Sequence, residues 1–303
     1  MIASSPKKTN HKGMKKILIA TDFSVAADDA ARYAISLARK IRTDTVLINA
    51  ATVTTDSPVE VLWPMEDYQT LIKRTDIRLK DLSKALLESM PEPAENTPDC
   101  PKISIKSDLG SVTDLLRETV QQEGIGIVVM GLSGAGNMKR FILGSSSREV
   151  IDSADYPVLL IPKGTPFKPV RKIAFATDLG LDDMEAIQAV ASFAGLLNAE
   201  LLIVHVIGKN IDKGMTGRID AFMSEVKNKI NYDRIYYENV YRFKVEDGLE
   251  WLKDHGETDL LVMVHRRRGV MNDFVNGSHA QKMARQTKLP LLVIPEGYLG
   301  TIC

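Results

Sequence analysis

Short apolar runs alternate along this chain with longer stretches whose apolar positions recur every three or four residues. Lys16 to Ala20 (KILIA) predicts a buried strand that ends at Thr21-Asp22-Phe23-Ser24. Spacing through Ala30, Tyr33, Ala34, Leu37, Ala38 and Ile41 predicts a helix over Ala26 to Ile41. Thr45 to Ala50 is a second strand, and Thr52 to Pro64, broken by Pro58 and Pro64, an irregular loop. Asp67 to Met90 predicts a long amphipathic helix with Leu71, Ile72, Leu79, Leu82, Leu86 and Leu87 on one side. A strand at Lys102 to Ser107, a helix at Val112 to Gln122 and a strand at Ile125 to Met130 follow. A glycine-rich loop, a helical pattern and a last strand, Val158 to Ile161 closed by Pro162, complete the series. Strands that alternate with helices predict a five-stranded, mostly parallel sheet covered on both faces. In such sheets ligands sit at the carboxyl ends of the strands, so the Asp22 turn and the Gly131 loop fall on the ligand-bearing edge.

The pattern then starts again. Lys16-Ile17, Ala20-Thr21-Asp22, Ala30, Ser36 and Ala38 recur without a gap as Lys172-Ile173, Ala176-Thr177-Asp178, Ala186, Ser192 and Ala194. Ile127 to Gly164 aligns without a gap on Leu260 to Gly297, with Phe141, Gly144-Ser145, Pro157 and Ile161-Pro162 recurring as Phe274, Gly277-Ser278, Pro290 and Ile294-Pro295. This spacing means tandem globular units, not a solenoid. It predicts a flexible tail at residues 1–13, a first domain at 14–163, a Pro-rich linker at 164–170 and a second domain at 171–303.

The stretch from Val128 to Pro162 carries the densest chemistry. Gly131, Gly134 and Gly144 let backbone approach a ligand closely. Ser145, Ser146 and Ser147 stand at a helix start, where free N–H groups attract anions. The order strand, glycine loop, helix reads as a phosphate cradle. It is neither a Walker A loop, since no Gly-Lys-Ser/Thr occurs, nor a dinucleotide fingerprint. Two residues separate Gly131 from Gly134, and nine separate Gly134 from Gly144-Ser145. With that spacing the stretch resembles the nucleotide-binding region of the universal stress protein family, and with the duplication the whole chain resembles a tandem member.

That resemblance implies two flavodoxin-like, nucleotide-hydrolase-like domains. It implies ATP, ADP or AMP in the first half, accompanied by Mg2+. Ala20, Thr21 and Asp22 would hold the base and ribose, and the backbone of Ala50 would lie near the adenine. Met130, Gly131, Gly134, Gly144, Ser145 and Ser146 would form the phosphate end. Val158–Ile161 and Leu291–Ile294 would pair within the chain as a pseudo-dimer. Two plainer readings stand beside these. Asp22 can serve as a cap of the following helix, and Lys139 and Arg140 can be solvated loop charges.

The second half departs from the pattern. Val264 stands where Gly131 does and Arg267 where Gly134 does, while Gly277-Ser278 remains. Side chains there occupy the space phosphates need, so ATP is not expected in the family manner. His265-Arg266-Arg267-Arg268 reads either as a site for another anion or as a solvated basic run. His205, His265 and His279 fall near Asp178 on one sheet edge, a donor set that zinc accepts, although no short-range ligand spacing supports it.

Composition narrows the function classes. Lys plus Arg, 39 residues, equals Asp plus Glu, 39 residues, which argues against nucleic acid as the partner. No apolar run reaches membrane-spanning length, and the polar, basic start is no secretory signal. Cys100 and Cys303 form no disulfide framework, and a cytoplasmic setting follows. No nucleophile elbow, zincin helix or kinase motif set occurs. The resemblance implies a nucleotide-responsive stress regulator with an unknown protein partner, as an intrachain pseudo-dimer or a homodimer. The alternatives are a slow ATPase or ATP-using transferase, and a scaffold whose second half takes an anion or metal.

Overall fold

The computed structural model describes residues 15–51, 68–90, 100–134, 141–142, 145–207, 214–241, 247, 252, 258–266, 283, 287 and 289–303. The expected tail and the Thr52 to Pro64 loop lie outside them. In the first half β1 (Lys16–Ala20), α1 (Val25–Ile41), β2 (Thr45–Ala51), α2 (Tyr68–Glu88), β3 (Ile103–Leu109) and α3 (Val112–Glu123) lead to β4 (Ile125–Gly134). A short β5 (Phe141–Ile142), α4 (Ser145–Ser153) and β6 (Val158–Pro162) follow. The second half runs β7 (Lys172–Ala176), a 3-10 turn (Leu181–Asp183), α5 (Met184–Leu197), β8 (Glu200–Ile207), α6 (Met215–Lys229), β9 (Ile235–Tyr241), β10 (Leu260–His265) and β11 (Leu291–Pro295).

These strands form one sheet in the order β3-β2-β1-β4-β6-β11-β10-β7-β8-β9, with β5 attached to β4. Apart from the antiparallel β4–β5 pair, each half is parallel within itself. The halves meet at β6 and β11, which pair antiparallel, Leu160 with Leu291 and Val158 with Val293. The expected pairing of the two closing strands is thus present. Apolar side chains on both faces are fully buried, Ile17, Ile19, Val129 and Leu159 on one and Leu18, Val128, Val158 and Leu160 on the other. Near-continuous apolar strands are what a sheet covered on both sides requires.

Helix α1 shows why the local sequence folds as it does. Its alanines keep the packed face thin, with Ala30, Ala34 and Ala38 fully buried against the sheet. Ser24 caps it by accepting from Ala27 N at 3.2 Å, and Arg42 ends it in the left-handed conformation. The cap is Ser24, not Asp22. Helix α2 buries a narrower stripe than its sequence suggests. Thr75, Leu79 and Leu86 are buried, but Leu87 is exposed.

One stretch differs in kind from expectation. Gly131 and Gly134 do not open a loop; they continue β4, where Ser133 and Gly134 pair antiparallel with Ile142 and Phe141. Glycine weakens a strand without ending it, and the hairpin with β5 supplies the backbone partners. Periodicity also left α6 and β9 unplaced.

After β11 the chain crosses to the first half. Ile302 is buried in a core it shares with Ile17 and Ile127. Its carbonyl lies against Gly126 so closely that an added Cβ would meet Ile302 O and have Ile302 C at 2.8 Å. This segment is a strap between halves. Ile302→Ala is expected to lower stability by about 2–4 kcal/mol, measured by urea denaturation. A loss well under 1 kcal/mol would mean the segment contributes nothing to the first-half core.

Candidate functional site

In the first half the strand order reverses at β1, so the switch point lies between the carboxyl ends of β1 and β4. A cleft of about 630 Å³ opens there. Its walls include Ala20, Thr21 and Asp22 from the end of β1, and Ala50 from β2. Met130 and Gly131 of β4 face Ser145 and Ser146 of α4 across it. Eight of the expected residues therefore line one cavity. Gly134 ends β4 opposite Phe141, and Gly144 lies outside the described residues.

The turn after β1 is built by its own side chains. Thr21 Oγ1 accepts from Phe23 N at 2.9 Å, and Asp22 Oδ1 accepts from Ser24 N at 2.9 Å. Phe23 takes a positive φ of 60° to close the turn. Asn49 Nδ2 donates to Thr21 O at 2.7 Å and pins this turn to β2. Asn49 was not anticipated as a cleft residue. The signal was present in the repeat, because Asn49 aligns with His205, whose Nδ1 lies 2.9 Å from Thr177 O. Gly110, Ser111 and Glu149 also line the cleft without having been anticipated.

Gly131 has a structural duty of its own. A Cβ there would meet the Ala26 carbonyl and stand 2.8 Å from Ala27 N. The first turn of α1 rests directly on β4 because this position is glycine. The second half has Val264 instead, half-buried against the core. There the corresponding helix opens with the 3-10 turn Leu181–Asp183, and Asp183 takes the place of Ala27. Thr177 Oγ1 donates to Asp183 Oδ2 at 2.7 Å.

Arg266 completes this altered site. Its guanidinium donates to both oxygens of Asp178, at 2.5 and 2.9 Å, and to Asp183 Oδ1 at 2.9 Å. Asp178, the counterpart of Asp22, is thereby held by the chain itself. Arg266 itself is therefore a partner in an internal ion pair. Arg267 and Arg268 lie outside the described residues.

Of the zinc candidates, three have partners within the chain. Asp178 is bound to Arg266, His205 holds the Thr177 carbonyl, and His265 Nε2 faces Asp152 of α4 at 3.4 Å. His279 lies outside the described residues. Among the described residues no group of three His, Cys, Asp or Glu could hold a metal ion. Among them too, no helix is long and apolar enough to cross a membrane. Cys100 is exposed, and burial pushes the Cys303 thiol up to about 12, so it stays protonated.

Burial raises the Asp183 carboxyl to about 6 from an ordinary 3.8, against the Thr177 hydrogen bond and the Arg266 charge, which pull it down. The unfolded chain releases this proton first, so Asp183 costs stability progressively as pH rises from about 4 to about 6. Removing Arg266 raises the carboxyl further and extends that loss to higher pH. Arg266→Ala is expected to be less stable than wild type by about 3 kcal/mol at pH 7.5, with a smaller deficit toward pH 4.5. Urea unfolding across this range checks it, and a deficit independent of pH would mean that Asp183 does not depend on Arg266 for its charge.

Comparison with known proteins bears on the same residues. The model of the universal stress protein family matches residues 13–162. A universal stress protein of Methanocaldococcus jannaschii is 30% identical over 151 residues, covering 49% of this chain and 82% of that relative. The fold is similar to that of a universal stress protein from Archaeoglobus fulgidus, with a TM-score of 0.73 at 15% identity over 93% of this chain and 98% of the other. A Pseudomonas aeruginosa protein of unknown function gives a TM-score of 0.57 at 15% identity, over 94% and 93% of the two chains. With its strand-end turn, its β4 glycines and its parallel sheet all in place, the chain belongs to the universal stress protein family.

Proposed function

We propose that the first half binds ATP, or a related adenine nucleotide, in the cleft between β1 and β4, with Mg2+ on its phosphates. The observation that carries this reading is the cleft itself. It gathers a carboxylate turn and the amino end of a helix around one cavity whose size suits a small molecule. Asp22 has one oxygen engaged by Ser24 N and a second available as an acceptor for a base or ribose hydroxyl. The free N–H groups at the start of α4, with the Ser145 and Ser146 hydroxyls, suit phosphate oxygens.

The second half does not repeat this arrangement, because Arg266 occupies Asp178 and Val264 replaces the glycine beneath the helix. In this reading residues 14–163 form the nucleotide-binding domain and 164–170 the linker. Residues 171–303 form a domain that stabilises the first and does not bind the same ligand. Binding orders the cleft and thereby alters affinity for a protein partner in the cytoplasm, so the chain acts as a nucleotide-responsive regulator.

Calorimetric titration with magnesium-ATP is expected to give one equivalent per chain. Asp22→Asn keeps the turn to Ser24 N but removes a charged acceptor, and is expected to weaken binding by about tenfold or more. Gly131 is a poor probe, since its substitution displaces α1 whatever the ligand. No adenine nucleotide released from the purified protein, and no heat on titration, would overturn the reading. Two equivalents would overturn the assignment of the second half.

A further inference from the structure

Among the described residues the walls of the first cleft carry two carboxylates, Asp22 and Glu149, and no lysine, arginine or histidine. Asp22 stands at the end of β1, whereas Glu149 belongs to α4, one turn beyond Ser145 and Ser146. Residues three and four apart share a helix face, so Glu149 lies on the side of α4 that Ser145 and Ser146 present to the cleft. Two effects of opposite sign therefore meet at the phosphate end. The helix start and the serine hydroxyls hold phosphate oxygens by hydrogen bonds. The Glu149 carboxylate repels the net charge those oxygens carry, and the repulsion grows with each added phosphate.

We propose that Glu149 is the charge-selecting residue of this cleft. A polyphosphate tail enters as its divalent-cation complex, and the bare tail is rejected in proportion to its charge. This rests on the adenine-nucleotide reading above and adds to it a specificity determinant. A purely structural role for Glu149 is also definable. A carboxylate in the first turns of a helix stabilises it through the macrodipole, and that role alone would alter melting temperature but not the ranking of ligands by charge.

The test is titration of the full chain, at low ionic strength where charge effects are unscreened, with adenosine, AMP and ATP. Each ligand is measured in EDTA and in MgCl2, for wild type and for Glu149→Gln. In EDTA, wild-type affinity is expected to fall from adenosine to AMP to ATP, and Mg2+ to restore ATP by about tenfold or more. Glu149→Gln is expected to raise the ATP-to-adenosine affinity ratio in EDTA by about fivefold. If wild type binds ATP equally well in EDTA and MgCl2, or if Glu149→Gln changes melting temperature but leaves that ratio alone, the proposal is overturned while the nucleotide reading stands. If neither adenosine nor any nucleotide binds, the nucleotide reading falls and this proposal falls with it.

Discussion

The contact between the first turn of α1 and β4 governs the rest of the first half. Position 131 has no side chain, so the Ala26 carbonyl rests on the strand. That contact brings the cap at Ser24 and the turn at Asp22 beside the end of β4. It also puts the start of α4 within reach of the same cavity. The second half has Val264 at this position, and its helix opens with a 3-10 turn. A carboxylate, Asp183, then stands where α1 has Ala27. A buried charge in that position needs a partner, and Arg266 is it. The two halves thus differ at several neighbouring positions together, and Thr177, Asp178, Asp183 and Arg266 contact one another.

The seam between halves has a different character. The β6–β11 pairing continues the sheet through backbone hydrogen bonds, and its side chains join the cores on both faces. His265, at the end of β10, meets Asp152 on α4, the helix whose other end lines the first cleft. The second half thus braces the helix that carries Ser145 and Ser146, even though its own cleft is held by Arg266.

Much of this was legible in the residues. Lys16–Ala20 is a strand with the limits its apolar run suggests, and the recurrence of Ala20-Thr21-Asp22 at Ala176-Thr177-Asp178 marks two turns of the same build. The cleft walls at Asp22 and Gly131 follow from strand ends, because a parallel sheet places every such end on one edge, whereas Ala50 and Met130 follow from the family resemblance. What was not legible depended on three-dimensional neighbours. Gly131 has the same composition signal whether it serves a phosphate or a helix, and only the position of Ala26 separates the two. Arg266 reads as one more cation in a basic run, since its partners Asp178 and Asp183 lie 88 and 83 residues away. His205 bonds the Thr177 carbonyl through Nδ1 and in that repeats the work of Asn49, a likeness the alignment of the two positions carried.

The strap after β11 has a topological meaning. The alignment that pairs Gly164 with Gly297 goes on to pair Val170 with Cys303. Val170 leads directly into Arg171 and β7, while the segment around Ile302 and Cys303 lies beside Lys15, which leads into β1. Each half therefore sends its outgoing segment to the entrance of the other, once through a peptide bond and once through packing alone. The two junctions are nearly interchangeable. A circularly permuted chain, closed between Cys303 and Lys15 and opened near Lys168, would visit the same strands in the same places. The order of the two halves along the chain is thus separable from the order of the strands in the sheet.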